Sequence, residues 1–292
     1  MNDLTIVIPA YNEAEALREF LPKLLGYCED TGCQLIIVND GSGDDTREVL
    51  ASQSHHPFFT VLHHKVNRGY GGALKTGILE ASTEYVVTID ADGQHRLEDV
   101  TALYEAIKKY DADMIVGRRQ FRRENLYRET GKAIIRTIAK ILMPLEIHDI
   151  NSGMKIYLTD LVKKYLSLCP DSMAFSDIIT LVFLSQRHLV KERDVVVLPR
   201  KSGRSTITTK TAIITVLELI HIVVLFNPSR IFLPLSFFFL IFSVTWGTPI
   251  LLRGEGISTG TLFLFLTGLI LFFLGLIAEQ LALIRKNQAI NP

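Results

Sequence analysis

Two aspartates and a glutamine stand at alternate positions in the segment TIDADGQH: Asp90, Asp92 and Gln94, directly behind an apolar run that includes YVV. At a strand end this spacing sends both carboxylates to one side, and Gln94 follows them if the chain stays extended. Oxygen donors at this density suit Mg2+ or Mn2+, ions that keep one or two protein carboxylates and take their remaining ligands from substrate phosphates and water. The chemistry implied is the handling of a diphosphate. Asp-Ala-Asp-Gly by itself is also ordinary turn composition, so its surroundings must decide. Two further polar clusters follow apolar runs in the same way, Pro9-Ala10-Tyr11-Asn12 and Asn39-Asp40-Gly41-Ser42.

Such loops need a scaffold that delivers them to one place. LTIVIP reads as a short strand, and Leu17, Leu21, Leu24 and Leu25 behind it recur at helical spacing. The alternation continues through QLIIVND, DDTREVLASQ, FFTVLHH, GGALKTGILEA, EYVVTIDAD, LEDVTALYEAIKKY and ADMIVGRR. Strands this apolar are buried on both faces, which predicts an α/β fold with a largely parallel sheet covered by helices and with ligands at the carboxyl ends of the strands. The glycine-rich stretch GYGGALKT resembles neither a P-loop nor a dinucleotide fingerprint, because Leu74 stands where each needs glycine. It reads as a backbone turn into a helix, with Lys75 a candidate phosphate contact. His55, His56, His63 and His64 flank a strand away from the loop rim without accompanying carboxylates, which reads them as surface residues; His95, beside Gln94, has no assigned role. Cys28, Cys33 and Cys169 are too few and too irregularly spaced for a disulfide framework or a zinc site and read as packing residues in a reducing compartment.

The chain has 292 residues and a formal net charge of +0, so the basic excess of a nucleic-acid binder is missing. Its charge is unevenly distributed. Beyond residue 230 the charged residues are Arg253, Glu255, Glu279, Arg285 and Lys286. Ile231 to Leu252 is a stretch of 22 residues without a charge, long enough at ~1.5 Å per residue to cross a bilayer. Thr259 to Ile284 is a second such stretch, and RGEGIS between them makes a tight hairpin. Arg230, Arg285 and Lys286 at the outer ends place both termini in the cytoplasm by the positive-inside bias. The start of the chain lacks a basic segment followed by a long apolar one, so no signal peptide is expected. Ile207 to Phe226, apolar but carrying Lys210, Glu218 and His221, reads as an interfacial amphipathic helix, with Lys201 and Arg204 nearby at headgroup level. The expected organisation is a catalytic domain over 1–206, a juxtamembrane helix and linker over 207–230, and a transmembrane hairpin over 231–292.

VIPAYNEAEAL, VNDGSGDDT, NRGYGGALKTG and TIDADGQH, in this order and spacing, resemble the family 2 glycosyltransferases of the GT-A fold. With the two C-terminal spans the chain is similar to the polyprenyl-phosphate glycosyltransferases, the group of dolichyl-phosphate mannose synthases and bacterial undecaprenyl-phosphate glucosyltransferases. The resemblance implies inverting, metal-dependent transfer of one sugar from a UDP- or GDP-sugar to a polyprenyl phosphate at the cytoplasmic membrane face. It implies that Pro9, Tyr11, Glu13 and Asp40 hold the base and ribose and that Ala91 touches the ribose through its backbone. Asp90, Asp92 and Gln94 would bind Mg2+ or Mn2+ on the diphosphate. Arg118 in GRR would meet the acceptor phosphate, with Arg128 and Arg200 as further contacts. Asp149 in DINSGMK falls near the sugar, and whether it takes a proton or orients a group stays open. Asp177 in FSDII falls where relatives place an acidic residue near the donor sugar, with a helix N-cap by Ser176 or Asp177 as the alternative. Arg204 has no counterpart in many relatives. Self-association through the tails is a further expectation.

Two other readings compete. A processive polysaccharide synthase, or transfer to another lipid or glycan acceptor, would keep the fold; but synthases carry a Gln-x-x-Arg-Trp segment, and the sole tryptophan here, Trp246, lies inside the first span. An inactive membrane scaffold or nucleotide-sugar sensor would show a broken Asp-x-Asp or a missing basic acceptor site, and both are intact in the sequence.

Overall fold

A computed structural model describes residues 1–119, 147–196, 198, 228–254 and 256–290. The expected juxtamembrane helix, Arg128, Arg200 and Arg204 lie outside the described residues. Those described fall into two compact units, one formed by 1–119 with 147–198 and the other by 228–290.

The first unit opens with β1 (Leu4–Ala10), nearly all of whose side chains are buried, and α1 (Ala14–Thr31), which buries Leu17, Leu21, Leu24, Leu25 and Cys28 on one face. Then come β2 (Gln34–Asn39), α2 (Thr46–Ala51), β3 (Phe59–His63), α3 (Tyr70–Glu80), β4 (Tyr85–Thr88), α4 (Leu97–Tyr110) and β5 (Met114–Arg119). The order continues with β6 (Lys155–Leu158), α5 (Thr159–Tyr165), α6 (Phe175–Ser185) and β7 (Val190–Val195). The strands form one sheet in the order β3-β2-β1-β4-β6-β5-β7. Every pairing is parallel except those of β6, which runs antiparallel to both β4 and β5. The sheet is therefore mixed, and the reversal of β6 brings the residues just before it, 149–154, beside the carboxyl ends of β4 and β5.

β6 and β7 carry little signal in the sequence, for different reasons. β6 has four residues and begins with a lysine, which masks an otherwise apolar run. β7 is an edge strand, VKERDV, whose charges face solvent and its neighbour, the usual protection of an unpaired edge.

The second unit consists of α7 (Ser229–Leu252) and α8 (Thr259–Ile290), both long and apolar enough to cross a membrane. Their contact seam is built of small residues, Gly247 facing Thr261, Gly268 facing Leu240 and Gly275 facing Phe232, which lets the helix axes approach. Ser236 Oγ donates to the Gly268 carbonyl (2.8 Å) and Ser243 Oγ to that of Thr261 (3.0 Å). Phe238, Phe242 and Trp246 form an outward ridge. Apolar faces left uncovered by protein are what lipid covers.

Candidate active site

At the carboxyl ends of β1, β2 and β4 lies a cleft of about 320 Å3. Its lining includes Pro9, Ala10, Tyr11 and Glu13 from the loop after β1, Asp40 after β2, Asn67, Tyr70 and Ala73 around the start of α3, Asp90, Ala91 and Asp92 after β4, and Met173 before α6. Of the residues assigned to the nucleotide sugar from the sequence, all but Gln94 meet here.

The loops after β1 and β2 are stitched together by polar side chains. Gly43 N–H donates to Asn12 Oδ1 (2.8 Å), and Asn12 N–H to Ser42 Oγ (2.9 Å). Glu13 N–H donates to Thr46 Oγ1 (3.0 Å) and Ala14 N–H to Asp44 Oδ2 (3.1 Å), satisfying donors at the start of α1 that have no partner within the helix. The second half of VNDGSGDDT is thus a cap for α1 and a brace for the rim.

The Asp-Ala-Asp-Gly segment departs from the expected extended run. β4 ends at Thr88, residues 91–93 turn, and Gly93 has φ +69°, a conformation costly for residues with a Cβ. Gln94 N–H donates to Asp92 Oδ1 (3.1 Å), and the Gln94 carbonyl accepts from Leu198 N–H. Gln94 lies outside the cleft lining with its backbone hydrogen-bonded to Asp92, not aligned as a third carboxylate-like ligand, because the turn ends the period-2 alternation. Asp90 is gripped from two sides, Tyr70 Oη donating to Oδ1 (3.0 Å) and His95 Nε2 lying 3.4 Å from Oδ2. Burial alone would raise the Asp90 carboxyl; the bonds from His95 and Tyr70 and the nearby Arg119 charge outweigh it and hold it below its ordinary value. Burial, with the Asp90 charge behind it, pushes the Tyr70 phenol well up, so it stays a donor.

A second group of charges abuts the cleft behind Asp90. A Cβ on Gly153 would lie 2.7 and 2.9 Å from the Asp90 carboxylate oxygens, so the 149–154 segment passes directly against that side chain. Thr88 Oγ1 fastens it by donating to the Gly153 carbonyl (2.9 Å). Within it, Asp149 is buried and takes a fork from Arg119, Nε to Oδ2 and Nη2 to Oδ1, each at 2.8 Å, with the Arg119 backbone N–H adding a third bond (3.1 Å). Glu192 of β7 accepts the backbone N–H groups of His148 (2.7 Å) and Asp149 (2.9 Å). Lys155, fully buried, donates through Nζ to the Ile150 carbonyl (2.7 Å) and to that of Ser176.

This geometry corrects several expectations. Arg118 pairs on the β7 side, its Nε 2.5 Å from Asp194 Oδ1, directly across the β5–β7 pairing, and its Nη1 3.9 Å from Glu192. Arg119 is the one that meets Asp149. Lys75 pairs with Asp171 (2.6 Å). His64 is not a surface residue but lies 2.6 Å from Asp40 with its side chain 5% exposed, and His56 also has a carboxylate, Glu29 at 2.9 Å. Asp177 is no N-cap; Ala174 holds that position in α6, and Asp177 instead contributes to the field at Lys155 and Arg119. Sequence reasoning missed Tyr70, His64, Arg119, Lys155 and Glu192. Arg119 had a signal, its place beside Arg118 at a strand end. The other four act through residues far away in the chain.

The fold recurs in glucosyl-3-phosphoglycerate synthase from Mycobacterium tuberculosis, crystallised with Mn2+, uridine diphosphate and phosphoglyceric acid. The match has 15% identity, covers 75% of this chain and 78% of that one, and has a TM-score of 0.59. It recurs also in residues 1–349 of S. aureus TarS, at 18% identity, 76% and 65% coverage and a TM-score of 0.51. The sequence is 28% identical over 187 residues to the undecaprenyl-phosphate 4-deoxy-4-formamido-L-arabinose transferase of Sodalis glossinidius, covering 63% of this chain and 57% of the relative. The protein of the same name from Edwardsiella ictaluri is 29% identical over 182 residues, covering 60% and 55%. The chain spans a little over half the length of these relatives. Residues 227–284 match the GtrB C-terminal hairpin. Residues 5–166, more than half of the chain, match glycosyl transferase family 2, and the chain belongs to that family.

Proposed function

We propose that this glycosyltransferase moves one sugar from a UDP- or GDP-sugar to a polyprenyl phosphate at the cytoplasmic face of a membrane, in a single displacement that inverts the anomeric centre. The observation that carries the reading is the abutment of two half-sites across Gly153: the cleft holding Asp90 and Asp92, and the Arg119–Asp149 fork behind it. One suits a nucleotide diphosphate and the other an incoming phosphate. The relatives named for undecaprenyl phosphate, the match to the GtrB hairpin, and the two long apolar helices support a lipid-borne acceptor.

Pro9, Tyr11, Glu13, Asp40 and the Ala91 backbone hold the nucleoside in this reading. Asp90 and Asp92 fit Mg2+ or Mn2+: two carboxylates line one cleft, leaving the remaining positions on the ion to the donor's phosphates and water. When bound, the ion supplies neutralisation of the departing diphosphate. Arg119 takes the acceptor phosphate, with Arg128 and Arg200 as further contacts. An acceptor oxygen forms the bond to the anomeric carbon as the bond from that carbon to the donor's β-phosphate oxygen breaks, and the nucleoside diphosphate leaves with the electron pair. A phosphate monoester has its second pKa near ~6, so this nucleophile needs no base at neutral pH. Asp149, already accepting three N–H bonds from Arg119, aims the guanidinium rather than taking a proton.

The test is transfer of radiolabel from a panel of UDP- and GDP-sugars to undecaprenyl phosphate by the full chain in detergent, with Mg2+ or Mn2+ and with EDTA. A lipid-extractable product that EDTA abolishes is expected, and Asp92→Asn should lower turnover by about 1,000-fold with an unchanged circular-dichroism spectrum. Transfer that persists in EDTA removes the metal from the mechanism. Label that reaches a glycan, and never the lipid phosphate, removes the acceptor.

A further inference from the structure

We infer that His64 is a positioning residue for donor binding, acting through Asp40. The inference rests on the reading of Asp40 as a nucleotide contact and deepens it. Asp40 and His64 are both buried, with side-chain exposures of 3% and 5%. His64 Nδ1 lies 2.6 Å from Asp40 Oδ1, and because an ionised carboxylate only accepts, Nδ1 carries the proton. Oδ1 also accepts Arg68 N–H (2.9 Å), and Oδ2 accepts Gly69 N–H (2.8 Å). A carboxylate has about four acceptor directions; three are filled by these donors, one remains on Oδ2, and Asp40 is among the residues lining the cleft, which makes that oxygen the acceptor for an N–H of a bound base in this inference. The second ring nitrogen anchors the arrangement, Nε2 lying 2.9 Å from Thr76 Oγ1 on α3.

The consequence reaches further than one carboxylate. Gly69 is the N-cap of α3, and Tyr70, the first residue of that helix, donates to Asp90. His64 thus fixes the rotamer of Asp40, Asp40 fixes the start of α3, and that start carries the phenol that orients Asp90. A ring that ties β3 to α3 through a buried carboxylate places both ends of the donor site in one hydrogen-bonded chain.

Two nearly isosteric variants separate the two ring nitrogens. His64→Asn keeps a donor where Nδ1 stands, and His64→Gln keeps one where Nε2 stands. In the full chain in detergent, His64→Gln should raise the donor KM and weaken binding of UDP or GDP by about tenfold, with acceptor KM and kcat within about twofold. His64→Asn should stay within about threefold of the unaltered protein. Equal effects of the two variants overturn the inference, as does a donor KM that moves in neither. Should His64→Gln fail to fold, Thr76→Val keeps the Nδ1 bond to Asp40 and removes only the second anchor, so it should leave the donor KM within about threefold; a tenfold rise there overturns the inference. Asp40→Asn distinguishes the levels: if it loses nucleotide binding while His64→Gln does not, His64 alone is wrongly placed, and if it binds UDP and GDP normally, the reading of Asp40 falls.

Discussion

Arg118 and Arg119 are neighbours of the same type that take different carboxylate partners. On a strand, successive side chains leave opposite faces, so the two guanidiniums separate: Arg118 meets Asp194 across the β5–β7 pairing, and Arg119 meets Asp149 behind Asp90. The sequence shows a basic pair at a strand end but not its phase, because which face is inward depends on the partner strand, and β7 has no apolar signature. Arg119→Ala should lower kcat/KM for the lipid phosphate by about 100-fold or more, since it removes a bidentate fork and strands a buried carboxylate, a change that also costs ~3 kcal/mol of stability. Arg118→Ala, which breaks a half-exposed pair, should change the rate by less than about threefold. Initial rates against acceptor concentration, with melting curves for both proteins, separate the two. The reverse ranking would return the acceptor contact to Arg118.

At the scale of elements, Lys155 joins parts of the chain that no periodicity links. From the first position of β6 it reaches back to the Ile150 carbonyl and across to Ser176 in α6, fastening the loop of Asp149 to the helix of Asp177. Burial pulls its amine from 10.5 down to about 7, although the Asp177 and Asp149 charges act to raise it. Between those values the unfolded chain binds a proton that the folded protein does not, so the lysine makes stability rise with pH from about 7 to 10 and contributes no slope below that window. Lys155→Met should flatten that rise while losing ~1 kcal/mol for each carbonyl it held. Melting temperatures in detergent across the window read both effects, and a slope surviving in the variant would assign it to another group. The strand-and-helix order through β5 was legible because its apolar runs and leucine spacing are local properties. β6 and β7 were not, one being too short and the other too charged.

For the whole molecule, the two long apolar helices suit an integral membrane protein, and the proposed reaction at the cytoplasmic face requires the outer ends of the hairpin to lie on that side. Glu279 Oε2 accepts Ser229 N–H (3.4 Å) at the start of α7, and Arg230 and Arg285 lie at the same end of the hairpin, the pattern of an interface on the cytoplasmic side. Tags at either terminus should be cleaved by external protease in inverted vesicles and protected in right-side-out ones; the opposite pattern would move the sugar-transfer domain to the other face. The sequence by itself determined the α/β alternation, the acidic and polar loops at the strand ends, and the two apolar spans, because each depends on residues close together in the chain. Tertiary structure alone decided that β6 runs backwards, that Asp-Ala-Asp-Gly turns, that Arg119 rather than Arg118 faces Asp149, and that His64 stands buried against Asp40. The turn is a local choice between two conformations the sequence allowed, whereas the other three are contacts between segments tens of residues apart, set by packing and strand phase, which no local pattern encodes.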